Sequence, residues 1–203
     1  KIIFPTKNLQ ISYFFIFIYL FAIKIPFKNV YKRVLTIYLM KQAINIQINN
    51  PRIEILRKKY DHVFKKVKTH VTLVYPFEVK DQVQLAEHIE SCIGGLESFE
   101  IVFDKFRKSG NYLVLDVGKN QEKLLSLHKK LNSGILSGFE NKELSIYLPH
   151  ITMGIFDSHE ELMKVINELR ARGSNFRVEV NKISLITLND DGSAKETKNF
   201  LLK

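Results

Sequence analysis

Two short segments of this chain carry residues that can do chemistry together. His70-Val71-Thr72 lies within residues 68–77, and His150-Ile151-Thr152 lies within residues 148–154. Each is a histidine, an apolar residue and a threonine in a β-prone run. The chain holds six His and seven Thr; a given His has Thr two places later about 3% of the time by chance, and two such pairs arise roughly 2% of the time. In a strand, residues i and i+2 point to the same face. His70 would then look outward with Thr72, and His150 with Thr152, while Val71, Leu73, Ile151 and Met153 turn to the core. Two imidazoles and two hydroxyls at one site suit acid–base chemistry on a phosphodiester. An imidazole with a pKa near 6.5 serves as acid or base at neutral pH. Opening a 2′,3′-cyclic phosphate with water needs both roles, one histidine taking a proton from water and the other protonating the leaving sugar oxygen. The threonine hydroxyls would donate to the non-bridging oxygens, where charge builds up in the transition state. The scheme needs no metal or cofactor, and the chain has no HExxH, no Cys/His cluster, no repeated acidic ligand spacing and no Gly-rich phosphate loop.

The elements that must position these residues follow from periodicity. Residues 43–48 alternate apolar and polar as a half-buried strand. Asn50 and Pro51 start a helix carrying Ile53, Leu56, Tyr60 and Val63. The first motif strand follows, closed by Pro76. Asp81 opens a second helix with Leu85, Ile89 and Cys92 on one face, stopped by Gly94-Gly95. Phe99, Ile101 and Phe103 alternate as a strand, Ser109-Gly110-Asn111 is a turn, and residues 112–117 form an apolar strand. A third helix carries Leu124, Leu127, Leu131 and Ile135. After the second motif, Ser158 and Glu161 form a capping box for a helix burying Leu162, Val165, Ile166 and Leu169, with Gly173 as its stop. Phe176, Val178 and Val180 begin a strand that residues 183–188 continue. Asp190-Asp191-Gly192 is a hairpin turn, and a last strand runs toward Leu201 and Leu202.

The order motif strand, helix, strand, turn, strand thus occurs twice, with the two histidines 80 positions apart. The expected fold is α+β: two pseudo-symmetric lobes, each an antiparallel sheet with helices packed outside, and an active cleft between them. Residues 40–203 form one bilobal domain, long enough for a sizeable core.

Charge and composition narrow the partners. The net charge is +10. Six basic and no acidic residues fall within 1–39, so residues 40–203 carry only +4 of it. A mildly basic domain accommodates RNA without demanding it. The single Cys92 excludes an intramolecular disulfide and points to a reducing, cytoplasmic setting. Residues 8–23 are an uncharged aromatic-rich run, shorter than the about 20 apolar residues of a spanning helix. Three readings of residues 1–39 stand in order: not native coding sequence, with Met40 as the true start; a membrane anchor; a cleaved signal, for which no small-x-small site is present. A membrane is a partner only if residues 1–39 are native.

The motifs and the duplicated plan resemble the 2H phosphoesterase superfamily, which includes bacterial 2′-5′ RNA ligases and cyclic phosphodiesterases. The stretches HVTLVYPF and LPHITMG carry the resemblance, which covers about residues 43–202. It implies a metal-independent enzyme hydrolysing 2′,3′-cyclic phosphate ends of RNA or nucleotides, or joining 2′-5′ linkages in reverse. It places catalysis on His70 and His150 and phosphate binding on Thr72 and Thr152. RNA ends or cyclic nucleotides, not DNA, are the expected substrates, and a monomer the expected state. The alternative is a binding module of the same fold that grips RNA or a phosphorylated ligand with little turnover. Some family members place an Arg just after the second motif, where this chain has Met153 and Gly154. Lys66, Lys68 and Arg107 are the candidate cations, none of them assigned.

Plainer roles are expected elsewhere. His62, His88, His128 and His159 lack the motif context, and packing or solvent roles suit His128 and His159. Cys92 reads as core, Tyr75 and Tyr147 as packing beside the motifs, and Arg57-Lys58-Lys59 as a solvated helix face.

Overall fold

Local signals set the helices where the periodicity places them. Asn50 Oδ1 accepts from the backbone N–H of Arg52 at 3.0 Å and of Ile53 at 3.3 Å. Asp81 Oδ1 accepts from Val83 and Gln84 at 3.1 and 2.9 Å, and Ser158 Oγ accepts from Glu161 at 3.3 Å. These bonds satisfy N–H groups that a helix start leaves without a partner. The computed structural model describes residues 40–139 and 146–203, so the readings of residues 1–39 lie outside the described residues. The strands are β1 (Lys41–Gln47), β2 (His70–Glu78), β3 (Phe99–Ser109), β4 (Tyr112–Lys119), β5 (His150–Ile155), β6 (Phe176–Val180), β7 (Lys182–Leu188) and β8 (Ala194–Leu201). The helices are α1 (Pro51–Tyr60), α2 (Gln82–Ile93), α3 (Gln121–Leu131) and α4 (His159–Ala171), with a 3-10 helix over Gly134–Phe139. Among the described residues no helix is long and apolar enough to cross a membrane.

The strands make two antiparallel four-stranded sheets, ordered β2-β1-β7-β8 and β5-β4-β3-β6. The expected α+β architecture of two sheets with packed helices is therefore present. Both motif strands, β2 and β5, are sheet edges, and these two edges pack against each other. Leu85, Ile89 and Ile93 of α2, Leu124, Leu127 and Leu131 of α3, and Leu162, Val165, Ile166 and Leu169 of α4 are buried. They join Ile44, Ile46, Val71, Leu73, Leu113, Leu115, Ile151 and Met153 in one continuous core.

Four boundaries differ from the sequence reading. Helix α1 ends at Tyr60, because Asp61 caps it with an N–H bond to the Arg57 carbonyl, and Val63 falls in the turn that follows. The third helix ends at Leu131, and Ile135 belongs to the 3-10 helix. Strand β2 runs through Pro76 to Glu78; an edge strand tolerates a residue without an N–H, and the register slips there between the Gln42–Phe77 and Ile44–Val74 pairs. The run 176–188 is two strands: β6 pairs with β3 in one sheet and β7 pairs with β1 in the other.

That last difference changes the repeat. The unit that recurs is β1-α1-β2-α2-β3, then β4-α3-β5-α4-β7 with β6 inserted between α4 and β7. In sheet order β2 matches β5, β1 matches β4 and β7 matches β3. The third strand of each unit crosses into the other unit's sheet. The lobes are therefore not the two halves of the sequence, and the strands paired by the motif-first reading, β4 and β8, differ in place: β4 is internal and β8 an edge.

Candidate active site

The two motifs meet. His70, Thr72, Tyr75, Tyr147, Leu148, His150 and Thr152 line one cleft. Alternation within each strand delivers them: Val71, Leu73, Ile151 and Met153 are buried while His70, Thr72, His150 and Thr152 are half-exposed. Across the ladder His70 faces Gln47 and Thr72 faces Asn45; His150 faces Asp116 and Thr152 faces Val114.

The histidines are held alike. His70 Nδ1 lies 2.8 Å from the Lys68 carbonyl, and His150 Nδ1 lies 2.7 Å from the Leu148 carbonyl. A carbonyl only accepts, so each Nδ1 carries the proton. Among the described residues neither Nε2 has a hydrogen-bond partner, which leaves a lone pair available in the neutral ring and an N–H in the imidazolium. The same bond thus prepares either histidine for either role. Burial lowers the His70 pKa from its ordinary 6.5; the Lys68 carbonyl pulls it up by less, and the charges of Arg57 and His150 push it further down. Burial therefore favours the neutral form of the His70 ring.

Each motif is followed by a slip in register. Asn45 pairs with Thr72 but Ile44 with Val74, leaving Leu73 as an extra residue. Val114 pairs with Thr152 but Leu113 with Gly154, leaving Met153 extra. A bulge at this place bends the strand just past the threonine and re-aims the side chains before it. Nothing in a strand-period pattern marks these bulges.

Helices brace both bulges. The Tyr60 carbonyl at the end of α1 lies where a side chain at 154 would stand: a Cβ on Gly154 would meet it at 2.3 Å. Glycine occupies position 154 because the end of α1 closes on the backbone there. At the other bulge, His128 Nδ1 donates to the Leu73 carbonyl at 2.7 Å, Asn132 Nδ2 to the same carbonyl at 3.1 Å, and the Tyr147 hydroxyl to the Thr72 carbonyl at 2.6 Å. The rings of His128 and Tyr147 stack at 3.7 Å and 6°. The packing role expected of Tyr147 and His128 is thus packing onto the site itself. Their spacing gave no sign of it, since they lie 75 and 55 residues from their acceptors.

Arg57 is not on a solvated face. It is 3% exposed, and Asp61 is 4% exposed. Its guanidinium binds the Asp61 carboxylate, the Val67 carbonyl at 3.0 Å and Thr69 Oγ1 at 3.0 Å, and Thr69 donates to Glu54. The pairing of Arg57 with Asp61 at i,i+4 is the signal the sequence did offer. This network fixes the loop that leads into His70.

The candidate cations stand apart from the cleft. Lys66 lies 3.7 Å from Asp191 on the surface, and Lys68 contributes its carbonyl. Arg107 is held by two bonds to Asp116, at 2.7 and 2.9 Å. Among the described residues no Lys or Arg lines the cleft. His88 binds the Leu131 carbonyl at 3.0 Å, His159 accepts from Lys108 at 2.8 Å, and Cys92 packs against the core, its thiol pKa raised by burial. Among the described residues no group of three or more His, Cys, Asp or Glu side chains is placed to hold a metal ion.

Comparison with known proteins gives the same outline. The sequence model of the 2′-5′ RNA ligase superfamily matches residues 45–192. A protein of Geobacillus sp. (strain WCH70), provisionally named a phosphoesterase, is 30% identical over 152 residues, 72% of this chain and 85% of the relative. A protein of Staphylococcus aureus (strain Newman) with the same provisional name is 24% identical over 144 residues, 68% and 83% of the two chains. Among solved structures, E. coli LigT complexed with 3′-AMP superposes with a TM-score of 0.52 at 18% identity, covering 81% of this chain and 96% of LigT.

Proposed function

The chain belongs to the 2′-5′ RNA ligase superfamily, the 2H phosphoesterases, and from that premise we propose that it hydrolyses 2′,3′-cyclic phosphate ends of RNA or of nucleotides by two-histidine acid–base catalysis. One observation carries the reading. His70 and His150 open on one cleft, each with its Nδ1 proton committed to a backbone carbonyl two residues earlier. Both reactive nitrogens are therefore Nε2.

In the hydrolytic direction His70, the neutral ring, takes a proton from water through Nε2. The water oxygen bonds to phosphorus. His150, as imidazolium, gives its Nε2 proton to the departing 2′ or 3′ oxygen, and the ring opens to a phosphomonoester. His70 ends protonated and His150 neutral, and exchange with solvent restores the pair. The hydroxyls of Thr72 and Thr152 donate to the non-bridging oxygens, which gain charge as the five-coordinate state forms. Joining a 2′-5′ linkage uses the same groups in the same direction, a 5′ hydroxyl taking the place of water and the 3′ oxygen departing. Tyr75 and Leu148 supply the apolar wall a nucleoside would rest on.

The test is turnover of 2′,3′-cyclic nucleotides and of RNA ending in a cyclic phosphate by the full chain, with a chelator present. His70→Ala and His150→Ala are each expected to lower kcat by about 10² to 10⁴-fold, the usual worth of a positioned acid or base. Persistent activity in both variants overturns the mechanism. Tight ligand binding with no turnover in the unmodified chain would make it a binding module.

A further inference from the structure

The two half-sites are braced differently. Beside β5 the brace is contact, the Tyr60 carbonyl against Gly154. Beside β2 it is a set of directed bonds. Two consecutive carbonyls at the bulge, those of Thr72 and Leu73, receive three side-chain donors, from Tyr147, His128 and Asn132. None of the three belongs to β2 or to its sheet. His128 lies in α3, Asn132 caps it, and Tyr147 stands three residues before His150. We propose that Tyr147, held by His128 and Asn132, is a positioning residue that sets the first half-site from the second.

The bonds form a short physical chain. The Tyr147 hydroxyl grips the backbone of Thr72 at 2.6 Å. One residue after Tyr147, the Leu148 carbonyl accepts from His150 Nδ1 at 2.7 Å. The residue that orients the second imidazole therefore adjoins the one that holds the first threonine. The distance between the two Nε2 atoms, which the in-line attack and departure must match, depends on this link. Stacking on His128 fixes the tyrosine ring. Burial raises the phenol pKa far above neutrality, so the group stays a donor through the working pH range. Asn132 also donates to the His128 carbonyl at 2.8 Å, tying the device to the end of α3.

This inference rests on the proposed reaction, and its test separates the two. Tyr147→Phe keeps the ring and the stack and removes the hydroxyl. On a 2′,3′-cyclic nucleotide, kcat is expected to fall by about tenfold to a hundredfold, the cost of misplacing groups that must meet in register. KM stays within about twofold, and the pH profile keeps its limbs because neither Nε2 is touched. A second readout needs no turnover: titration with inorganic phosphate, followed by the imidazole ¹H–¹⁵N signals. In the unmodified chain His70 and His150 are expected to respond together. In Tyr147→Phe the His70 response weakens while that of His150 remains. If the unmodified chain turns over no cyclic phosphate, the reaction fails and the titration still decides the positioning role. Unchanged kcat with unchanged paired responses overturns it, as does a fall in melting temperature with kcat preserved. Should Tyr147→Phe not fold, Asn132→Ala removes one of the two donors to Leu73, and its contact with His128 Nδ1, while both stacked rings are kept. It is expected to lower kcat with KM kept, and a wild-type kcat there overturns the device.

Discussion

At the scale of single residues, two backbone carbonyls do as much as the four motif side chains. By accepting the Nδ1 protons of His70 and His150 they choose the tautomer, and tautomer decides which nitrogen reacts. Burial then favours the neutral form of His70. The sign of the consequence is definite. With the folded pKa below the 6.5 of an unperturbed ring, the unfolded chain binds more protons than the folded one between the two values. Stability therefore rises with pH across that window and is lost as pH falls below about 6.5. Chemical denaturation from pH 5 to 8 is expected to show this slope in the unmodified chain and a flatter one in His70→Gln. Equal slopes would mean His70 does not titrate differently on folding.

At the scale of elements, the motif strands are shaped by what touches them from elsewhere. Helix α1 ends in a buried ion pair, Arg57 with Asp61, that also holds Val67 and Thr69 just before His70. Removing one partner strands the other in a dry setting. Arg57→Ala is expected to lower unfolding free energy by about 3–5 kcal/mol, while replacing both residues with apolar ones of similar size costs much less. Thermal or denaturant unfolding of the single and double variants checks the difference, and equal losses would refute the pairing argument. Sequence periodicity could find α1 and its cap at Asn50, since those are local signals. It read Arg57 as solvated because a lysine-rich neighbourhood looks like a wet face, and only the fold of the following loop buries the guanidinium. The bulges at Leu73 and Met153 were likewise out of reach: an extra residue in a strand is visible only against its partner strand.

At the scale of the whole molecule, the crossing of β3 and β7 makes the lobes interdependent. β7 is the inner neighbour of β1, and β3 the inner neighbour of β4. The β1 sheet is not complete until residues from both ends of residues 40–203 have arrived, and the β4 sheet takes its inner strand β3 from the unit that builds β1 and β2. One cooperative unfolding transition is expected, coincident in far-ultraviolet and tyrosine near-ultraviolet circular dichroism. A chain ending at Gly173 lacks β6 to β8 and is expected to show no cooperative transition, because it leaves the middle of the β1 sheet open. Two separated transitions in the full chain, or a cooperatively folded truncation, would contradict this. The sequence by itself determined the residue types of the site, the faces they share, the helix starts and the existence of a duplication. All of these follow from side-chain alternation, helical period and capping, which act over a few residues. Tertiary structure alone decided which strand joins which sheet, where the register slips, which carbonyls face Tyr147, His128 and Asn132, and that Arg57 is buried. Those outcomes depend on contacts between residues tens of positions apart, and no local period encodes a distant partner.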